Sequence, residues 1–390
     1  MTIDRQLRLD PYPMYAQMRR TAPVLYNPEQ GAWLVYSYDE VKRVIGEHQS
    51  FSSDVFRGVE SELLIEDNIQ MMDPPRHTQL RALATYAFTP KAVAELEPRI
   101  RQIADELLDE IAARNGEADF VGDFTIPLPV IVIAEMLGIP KADRPKFKLW
   151  SDAIVESAER LMHGIMEALP EHVTAFRAMR QYFREITLER RANPQSDLIS
   201  RLAVAEVEGK RLSDQEVVSF CLLLMVAGNE TTTNLLSNAM RTFLEHPDQW
   251  ERLCREPRLI PQAIEEVLRY RSPVQSLFRI ARHDLELGGQ QIKAGQQVVF
   301  FIGSANRDER KFENADVFDI TRAPGAHLGF GHGIHFCLGA PLARLEAKIA
   351  LEALAERVES FRMPPGSELE PLSTFIVFGL KQLPLQLKMR

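Results

Sequence analysis

The apolar positions of this chain recur mostly with helical spacing, which predicts a protein built mainly from helices. The amphipathic helical segments are 92–113 and 338–358, and further helices are predicted at 141–160, 171–191 and 259–270. Two more segments, 128–137 and 220–226, are apolar on all sides and therefore predict buried helices. Alternation typical of strands occurs mainly at 23–37 and 274–301, each broken by turn residues, and the first of these segments predicts a small hairpin. The pattern favours a mainly α fold with a small β part.

A long helix is predicted to begin at Ser213, where Glu216 completes a capping box. Its apolar run is interrupted at 227–233 (AGNETTT). The glycine and the β-branched threonines of this segment weaken the interior of a helix. One alternative is a helix that ends and restarts within this segment. The other is a helix bent beside a ligand, in which Glu230 and Thr231 deliver protons across a groove of small residues.

The segment 328–344 (LGFGHGIHFCLGAPLAR) carries the strongest chemical signal. Glycines at 333 and 339 flank Cys337 and allow tight backbone turns. Phe330 adds apolar bulk, so the cysteine is expected in a dry pocket lined by backbone N–H groups. A thiolate that binds a metal needs such an environment.

Two other interpretations of this cysteine stay open from the residues alone. Cys337 could be an ordinary buried thiol in a glycine-rich turn. It could also form a zinc site with His332 and His335, although no fourth ligand follows at zinc-finger spacing.

Composition narrows the class of protein. The chain has 390 residues, of which 45% are hydrophobic and 26% charged, and its net charge is −9. This charge argues against nucleic acid as the main partner. No apolar run is long enough to predict a membrane span, and three cysteines without a signal peptide predict a cytoplasmic protein. No repeat or linker interrupts the chain, which favours a single catalytic domain over residues 1–390.

Four separated motifs resemble those of one family. The order F-x-x-G-x-x-x-C-x-G around Cys337 is similar to the haem-ligand signature of the cytochrome P450 family. The other motifs are HTQLR at 77–81, AGNETT at 227–232, and E-x-x-R at 266–269 with Arg322. They occur in the order typical of the family along almost the whole chain.

The resemblance implies a cytochrome P450 fold, in which a long central helix lies over haem b. Cys337 is then the iron ligand. His77 and Arg81, four residues apart on one helix, and Arg279 are expected at the haem propionates. The full set of implied cofactor-binding residues is His77, Arg81, Ala227, Gly228, Arg279, Phe330, His335, Cys337 and Gly339. Glu266, Arg269 and Arg322 are implied to form a structural cluster that supports the cysteine loop.

The resemblance also implies a monooxygenase that uses O2 to hydroxylate or epoxidise a small apolar substrate. Glu230 would admit protons and Thr231 would hold the water or hydroperoxide. Near the carboxyl terminus, residues 373–379 (STFIVFG) are expected to turn into the substrate pocket. The chain is too short for a fused reductase beside the haem domain, so a ferredoxin or flavodoxin is the expected electron donor. Arginines expected to dock it on the face over Cys337 are Arg76, Arg99, Arg101 and Arg344. The alternatives are a peroxide-driven peroxygenase and a non-catalytic haem-binding sensor.

Overall fold

The structure, a computed structural model, describes residues 5–58, 64–144, 146–147, 149–150, 153, 169–207 and 209–390. The chain divides into two compact units. The first unit comprises Met1–Val55, Glu97–Leu128 and Thr231–Arg390, and the second comprises Phe56–Leu96 and Pro129–Glu230. A single domain over 1–390 stays a prediction. The predicted helix over 141–160 lies largely outside the described residues.

Helices dominate the described chain, as predicted. They are α1 (Arg5–Leu9), α2 (Tyr12–Thr21), α3 (Tyr38–Gly46), α4 (Arg76–Ala87), α5 (Pro90–Ala94), α6 (Glu97–Ala113), α7 (Pro127–Met136), α8 (Pro170–Ala192), α9 (Leu198–Val204), α10 (Asp214–Glu245), α11 (Pro247–Arg255), α12 (Ile260–Tyr270), α13 (Ile302–Ala305) and α14 (Ala340–Arg357). Within the described residues, no helix is both long enough and apolar enough to cross a lipid bilayer.

The strands are short and lie mostly in the first unit. They are β1 (Val24–Asn27), β2 (Ala32–Val35), β3 (Phe51–Ser52), β4 (Glu117–Asp119), β5 (Glu206–Val207), β6 (Lys210–Arg211), β7 (Ser276–Ala281), β8 (Leu285–Leu287), β9 (Gln290–Ile292), β10 (Gln297–Phe301), β11 (Val358–Arg362), β12 (Glu370–Pro371), β13 (Leu380–Gln382) and β14 (Pro384–Met389).

The largest sheet has the strand order β1-β2-β10-β7-β3. The predicted hairpin is confirmed as the antiparallel pair β1–β2, with Val24 opposite Val35. The side chain of Asn27 accepts a hydrogen bond from the backbone N of Glu29 (3.0 Å), which closes the turn. Strand β10 pairs with β2 in parallel and with β7 in antiparallel orientation, so the hairpin joins the later strands.

A second sheet, with the order β11-β14-β4, was not predicted from the sequence. Gly116 connects α6 to this sheet in a left-handed conformation (φ +80°), and its carbonyl accepts a hydrogen bond from Leu387 N (2.8 Å). An added Cβ at Gly116 would overlap the backbone oxygen of Leu387. The close approach therefore requires glycine at this position.

Helix α10 is continuous from Asp214 to Glu245, so the alternative of two helices is wrong. Its amino-terminal capping box is confirmed. Ser213 N donates to Glu216 Oε2 (2.7 Å), and Glu216 N donates to Ser213 Oγ (3.2 Å). The interrupting segment 227–233 is helical throughout, because packing on the other faces outweighs its low intrinsic propensity.

Helix α14 buries one carboxyl group that the sequence did not reveal. Glu346 is 1% exposed, and within the described residues its Oε2 atom has no hydrogen-bond partner. Burial raises the pKa of Glu346 to about 8. The folded state therefore keeps this proton over a pH range in which the unfolded chain, with a carboxyl pKa of about 4.3, has released it.

We expect Glu346 to make the folded protein less stable as pH rises. The stability that comes from its retained proton is complete below about pH 4.3 and is lost as pH approaches 8. A Glu346→Gln variant should therefore gain stability over the parent protein, by up to about 1.4 kcal/mol per pH unit in that window. Denaturant unfolding at pH 5, 6.5 and 8 measures the difference. The control is Glu352→Gln, a half-buried residue of the same helix near Lys348 (3.8 Å). A difference that stays constant with pH would contradict the assignment.

Candidate active site

The Cys337 loop (residues 328–339) is held by main-chain hydrogen bonds. Gly331 N donates to Leu328 O (2.8 Å), and Cys337 N donates to Phe330 O (2.9 Å). Gly331 has a φ of +75°, a conformation that glycine adopts without strain. These bonds fix the backbone at both ends of the segment that presents Cys337, whose thiol is partly exposed and free of a disulfide.

The surroundings of Cys337 favour its thiolate form. Helix α14 begins at Ala340, so the positive end of its dipole lies close to Cys337 in the chain. An added Cβ at Gly339 would stand 3.9 Å from Cys337 Sγ, so this glycine leaves the sulfur uncrowded. The negative charge of Cys337 is one cause of the raised pKa of Arg344, after the bond from Arg344 to Glu265. A cation and a helix end thus both act on this sulfur.

The donor set fits one thiolate ligand and not a metal held by several side chains. Among the described residues, no group of three or more His, Cys, Asp or Glu side chains is placed to hold a metal ion. The zinc alternative is therefore wrong. His335 Nε2 lies 2.9 Å from Ser53 Oγ, and His332 lies against Gly46 of α3. A single cysteine in a glycine-rich loop matches the thiolate ligand of a haem iron.

Arg279 supplies a buried cation in the same unit. It lies on β7, is 7% exposed, and donates a hydrogen bond to Phe278 O (2.9 Å). Its guanidinium also lies 5.5 Å from the ring centroid of Phe300. A buried arginine is suited to a carboxylate such as a haem propionate. The predicted propionate contact remains a prediction.

The predicted Glu266–Arg269–Arg322 cluster is confirmed. Arg269 Nε and Nη2 each donate to Glu266 at 2.8 Å, and Arg322 Nε donates to the same carboxylate at 3.1 Å. Glu266 and Arg269 are each 2% exposed. Arg269 also donates to Asn306 O (3.0 Å), while Asn306 Oδ1 accepts from Leu328 N (2.7 Å). The cluster is therefore connected to the Cys337 loop through Asn306.

On helix α10, Ala227 and Thr231 of the predicted oxygen-binding segment are four residues apart and lie on one face. Both are partly exposed, as are Gly228 and Glu230, whereas Asn229 is buried. In the second unit an added Cβ at Gly228 would overlap the side chain of Ile133, so this glycine also serves packing. The proton-delivery roles of Glu230 and Thr231 remain predictions.

The HTQLR motif lies on α4 in the second unit. His77 is 2% exposed and Arg81 is half-buried, so the face of α4 that carries these two side chains is not freely exposed to solvent. Their spacing of four residues places both on one face of the helix, as predicted. The neighbouring Arg76 forms an ion pair with Glu216.

The four arginines expected at a docking surface all have carboxylate partners. Arg76 pairs with Glu216, Arg99 with Glu106 (3.5 Å), Arg101 with Glu356, and Arg344 with Glu265 (2.7 Å). Their charge is therefore largely neutralised within the chain. This weakens the interpretation of these four residues as an electrostatic docking surface.

A turn near the carboxyl terminus was predicted to face the substrate. Gln275 N donates to Ile376 O (2.7 Å), and Phe378 N donates to Pro273 O (2.7 Å). Asn238 Nδ2 of α10 also donates to Phe378 O (2.8 Å). The turn at 373–379 is thus fixed beside β7 and α10 within the first unit.

Several residues that shape the Cys337 loop were not predicted from the sequence, notably Glu265, His327, Asn306 and Ser53. Glu265 directly precedes the E-x-x-R motif, but an acidic residue there is indistinguishable by pattern from an exposed helix residue. A separate groove of about 650 Å³, between the end of α6 and strands β11 and β14, contains none of the predicted site residues.

Comparison with known proteins identifies the family. The "Cytochrome P450" family profile matches residues 15–389. The chain is 46% identical over 385 residues to "Putative cytochrome P450 YjiB" of Bacillus subtilis, covering 97% of this chain and 94% of that protein.

Solved structures agree with this match. The crystal structure of CYP109E1 from Bacillus megaterium in complex with testosterone is 46% identical, with a TM-score of 0.87, and covers 97% of this chain and 99% of that one. The corticosterone complex of the same protein is 45% identical, with a TM-score of 0.89 and coverage of 98% and 99%. Members of the family bind haem and insert an oxygen atom into organic substrates. The chain therefore belongs to the cytochrome P450 family and is a haem-dependent monooxygenase.

Proposed function

We propose that this enzyme hydroxylates apolar substrates of steroid size. The supporting observation is that CYP109E1, similar to this chain over almost its whole length, has been crystallised with testosterone and with corticosterone. Partly buried apolar side chains at Val274 and Leu277 pack on the core beside β7 and offer a compatible lining. One oxygen atom enters a C–H bond and the other leaves as water, which consumes two electrons and two protons.

Each predicted site residue has one task in this proposal. Haem, when bound through Cys337, supplies the activation of dioxygen. His77, Arg81 and Arg279 would bind the haem propionates, and His335 would also contact the haem. Ala227 and Gly228 would leave room for the oxygen ligand, while Phe330 and Gly339 would shape the wall around the sulfur.

We infer that a ferredoxin or a flavodoxin supplies the two electrons, because neither the substrate nor dioxygen supplies them. The partner docks on the side of the Cys337 loop. We also propose that both units act as one catalytic domain in the cytoplasm. The family profile covers both units, and Cys221 and Cys254 form no disulfide, as expected in a reducing compartment.

Substrate binding is tested by adding testosterone or corticosterone to the ferric enzyme and following the haem absorption band. We expect both steroids to shift the band toward the high-spin form, and a macrolide of similar hydrophobicity to do so more weakly. Turnover with a ferredoxin, its reductase and isotopically labelled O2 should give a labelled hydroxysteroid. No band shift and no oxygenated product from either steroid would contradict the substrate class.

Proton delivery is tested with Thr231→Ala and Glu230→Gln. Both variants should bind substrate normally and still consume reducing equivalents. Product formation should fall roughly 100-fold, since a positioned proton donor typically contributes that much. Peroxide should accumulate in place of product, measured by coupled oxidation of a dye. Thr231→Ser keeps the hydroxyl and serves as the control, which should restore most of the product yield. Full coupling in Thr231→Ala would overturn this role.

A further inference from the structure

Beside Glu266, whose carboxylate binds Arg269 and Arg322, helix α12 carries a second carboxylate, that of Glu265, which has different partners. We propose that Glu265 is a positioning residue that holds both ends of the Cys337 loop and neutralises Arg344, and that it thereby keeps the reduction potential of the haem low. This inference rests on ligation of haem by Cys337 and goes beyond the proposed substrate.

The first contact is a bidentate ion pair with the helix that follows the loop. Arg344 Nε donates to Glu265 Oε1 (2.7 Å), and Arg344 Nη2 donates to Glu265 Oε2 (2.9 Å). Two parallel bonds of this kind fix orientation as well as distance. The guanidinium also lies 4.5 Å from the ring centroid of Phe330, a residue of the loop itself.

The second contact reaches the residue that precedes the loop. His327 Nε2 lies 3.0 Å from Glu265 Oε2, and Gly329 N donates to His327 Nδ1 (3.1 Å). Because Nδ1 accepts a hydrogen bond, the proton of the neutral ring is on Nε2 and is donated to Glu265. The side chain of His327 is only 5% exposed, so solvent is largely excluded from these two hydrogen bonds.

Glu265 consequently binds one residue before the loop and one after it. Burial alone would raise the pKa of Glu265, but the bonds from Arg344 and His327 lower it to about 2. Glu265 is therefore an anion at every physiological pH, and it offsets the positive charge of Arg344. Without that anion, Arg344 would act on the thiolate as an uncompensated cation and withdraw electron density from the sulfur.

The sign of the effect follows from charge. Removing a negative charge near the iron favours addition of an electron, so Glu265→Gln should shift the midpoint potential of the ferric/ferrous couple to more positive values. We expect an effect of about tenfold in the equilibrium constant for reduction, which is 59 mV for a one-electron couple. Arg344→Met should shift the potential in the negative direction. The double variant should lie close to the parent enzyme.

The experiment is a redox titration of the holoenzymes, followed by haem absorbance, together with the spectrum of each reduced carbonyl complex. Glu265→Asp keeps the negative charge opposite Arg344 but shortens the side chain that positions the loop, so it tests these two effects separately. It should shift the potential less than Glu265→Gln does. The matched control is Glu97→Gln, which removes the same charge from an exposed pair with Lys348 on α14 (3.1 Å). Its potential should not change.

The outcomes separate the alternatives. Opposite shifts for Glu265→Gln and Arg344→Met, cancelled in the double variant, support the proposal. A lower melting temperature in all variants, with an unchanged potential of the haem that stays bound, would show a purely structural role and overturn it. Should Glu265→Gln fail to fold, the Arg344→Met potential decides alone, and an unchanged value overturns the proposal. An imidazole-type carbonyl spectrum in the parent enzyme would overturn the thiolate ligation on which it rests.

Discussion

Cys337→His enzyme should lose monooxygenase turnover to below detection, and its reduced carbonyl complex should change from a thiolate-type to an imidazole-type spectrum. The physical reason is the charge of the ligand. A thiolate donates electron density that favours cleavage of the O–O bond, whereas a neutral imidazole donates less. The helix end at Ala340 and the nearby Arg344 are both arranged to favour an anion at this position.

The matched control for this change is Cys254→Ser. Cys254 is the other partly exposed cysteine, and burial raises the pKa of its thiol, so it is poorly suited to act as a thiolate ligand. Its replacement should alter neither the spectrum nor turnover. A thiolate-type spectrum that persists in Cys337→His and disappears in Cys254→Ser would show that the wrong sulfur has been assigned.

Glu266→Ala should lower the free energy of unfolding by about 3–5 kcal/mol, the typical cost of removing one partner of a buried ion pair. Glu266 accepts hydrogen bonds from Arg269, from Arg322 and from the backbone N of Asp319 (3.1 Å). The variant leaves Arg269 buried at 2% exposure without its carboxylate. Denaturant unfolding of the holoenzyme, read by circular dichroism and by haem absorbance, measures the loss.

Lys388→Met provides the comparison for this prediction. Lys388 pairs with Glu359 at 2.8 Å, but both side chains are more than half exposed, so the change should cost at most about 1 kcal/mol. We also expect Glu266→Ala to release haem more readily, because the cluster reaches the Cys337 loop through Asn306. A loss of stability no larger than that of Lys388→Met would show that the cluster is dispensable.

Local patterns in the sequence predicted local structure well. The hairpin at 23–37, the capping box at Ser213 and the helix at 260–270 each depend on residues close together in the chain, and the structure contains all three. The strands β11 and β14 were missed. Strand β14 lies between β11 and β4, and β4 is more than 200 residues away in the chain, so this pairing leaves no short-range signal.

In the candidate site, too, residues that act through contacts with distant parts of the chain could not be predicted from local patterns. Motif resemblance located Cys337 and the Glu266–Arg269–Arg322 cluster, and the cluster contacts are confirmed. Glu265 and His327 could not be found this way, because their importance comes from contacts across 62 positions of the chain. The weak helix former Gly228 was attributed to a ligand groove alone, whereas its contact with Ile133 gives a packing reason as well.

The turn at 373–379 has a consequence for how this enzyme could diversify. Its position is set by backbone atoms of Ile376 and Phe378, which bond to Gln275, Pro273 and Asn238. The side chains at 375–377 therefore carry little of the anchoring. On the prediction that this turn faces the substrate, evolution in nature or in the laboratory can exchange these side chains to accept new compounds without disturbing the backbone bonds that hold the turn.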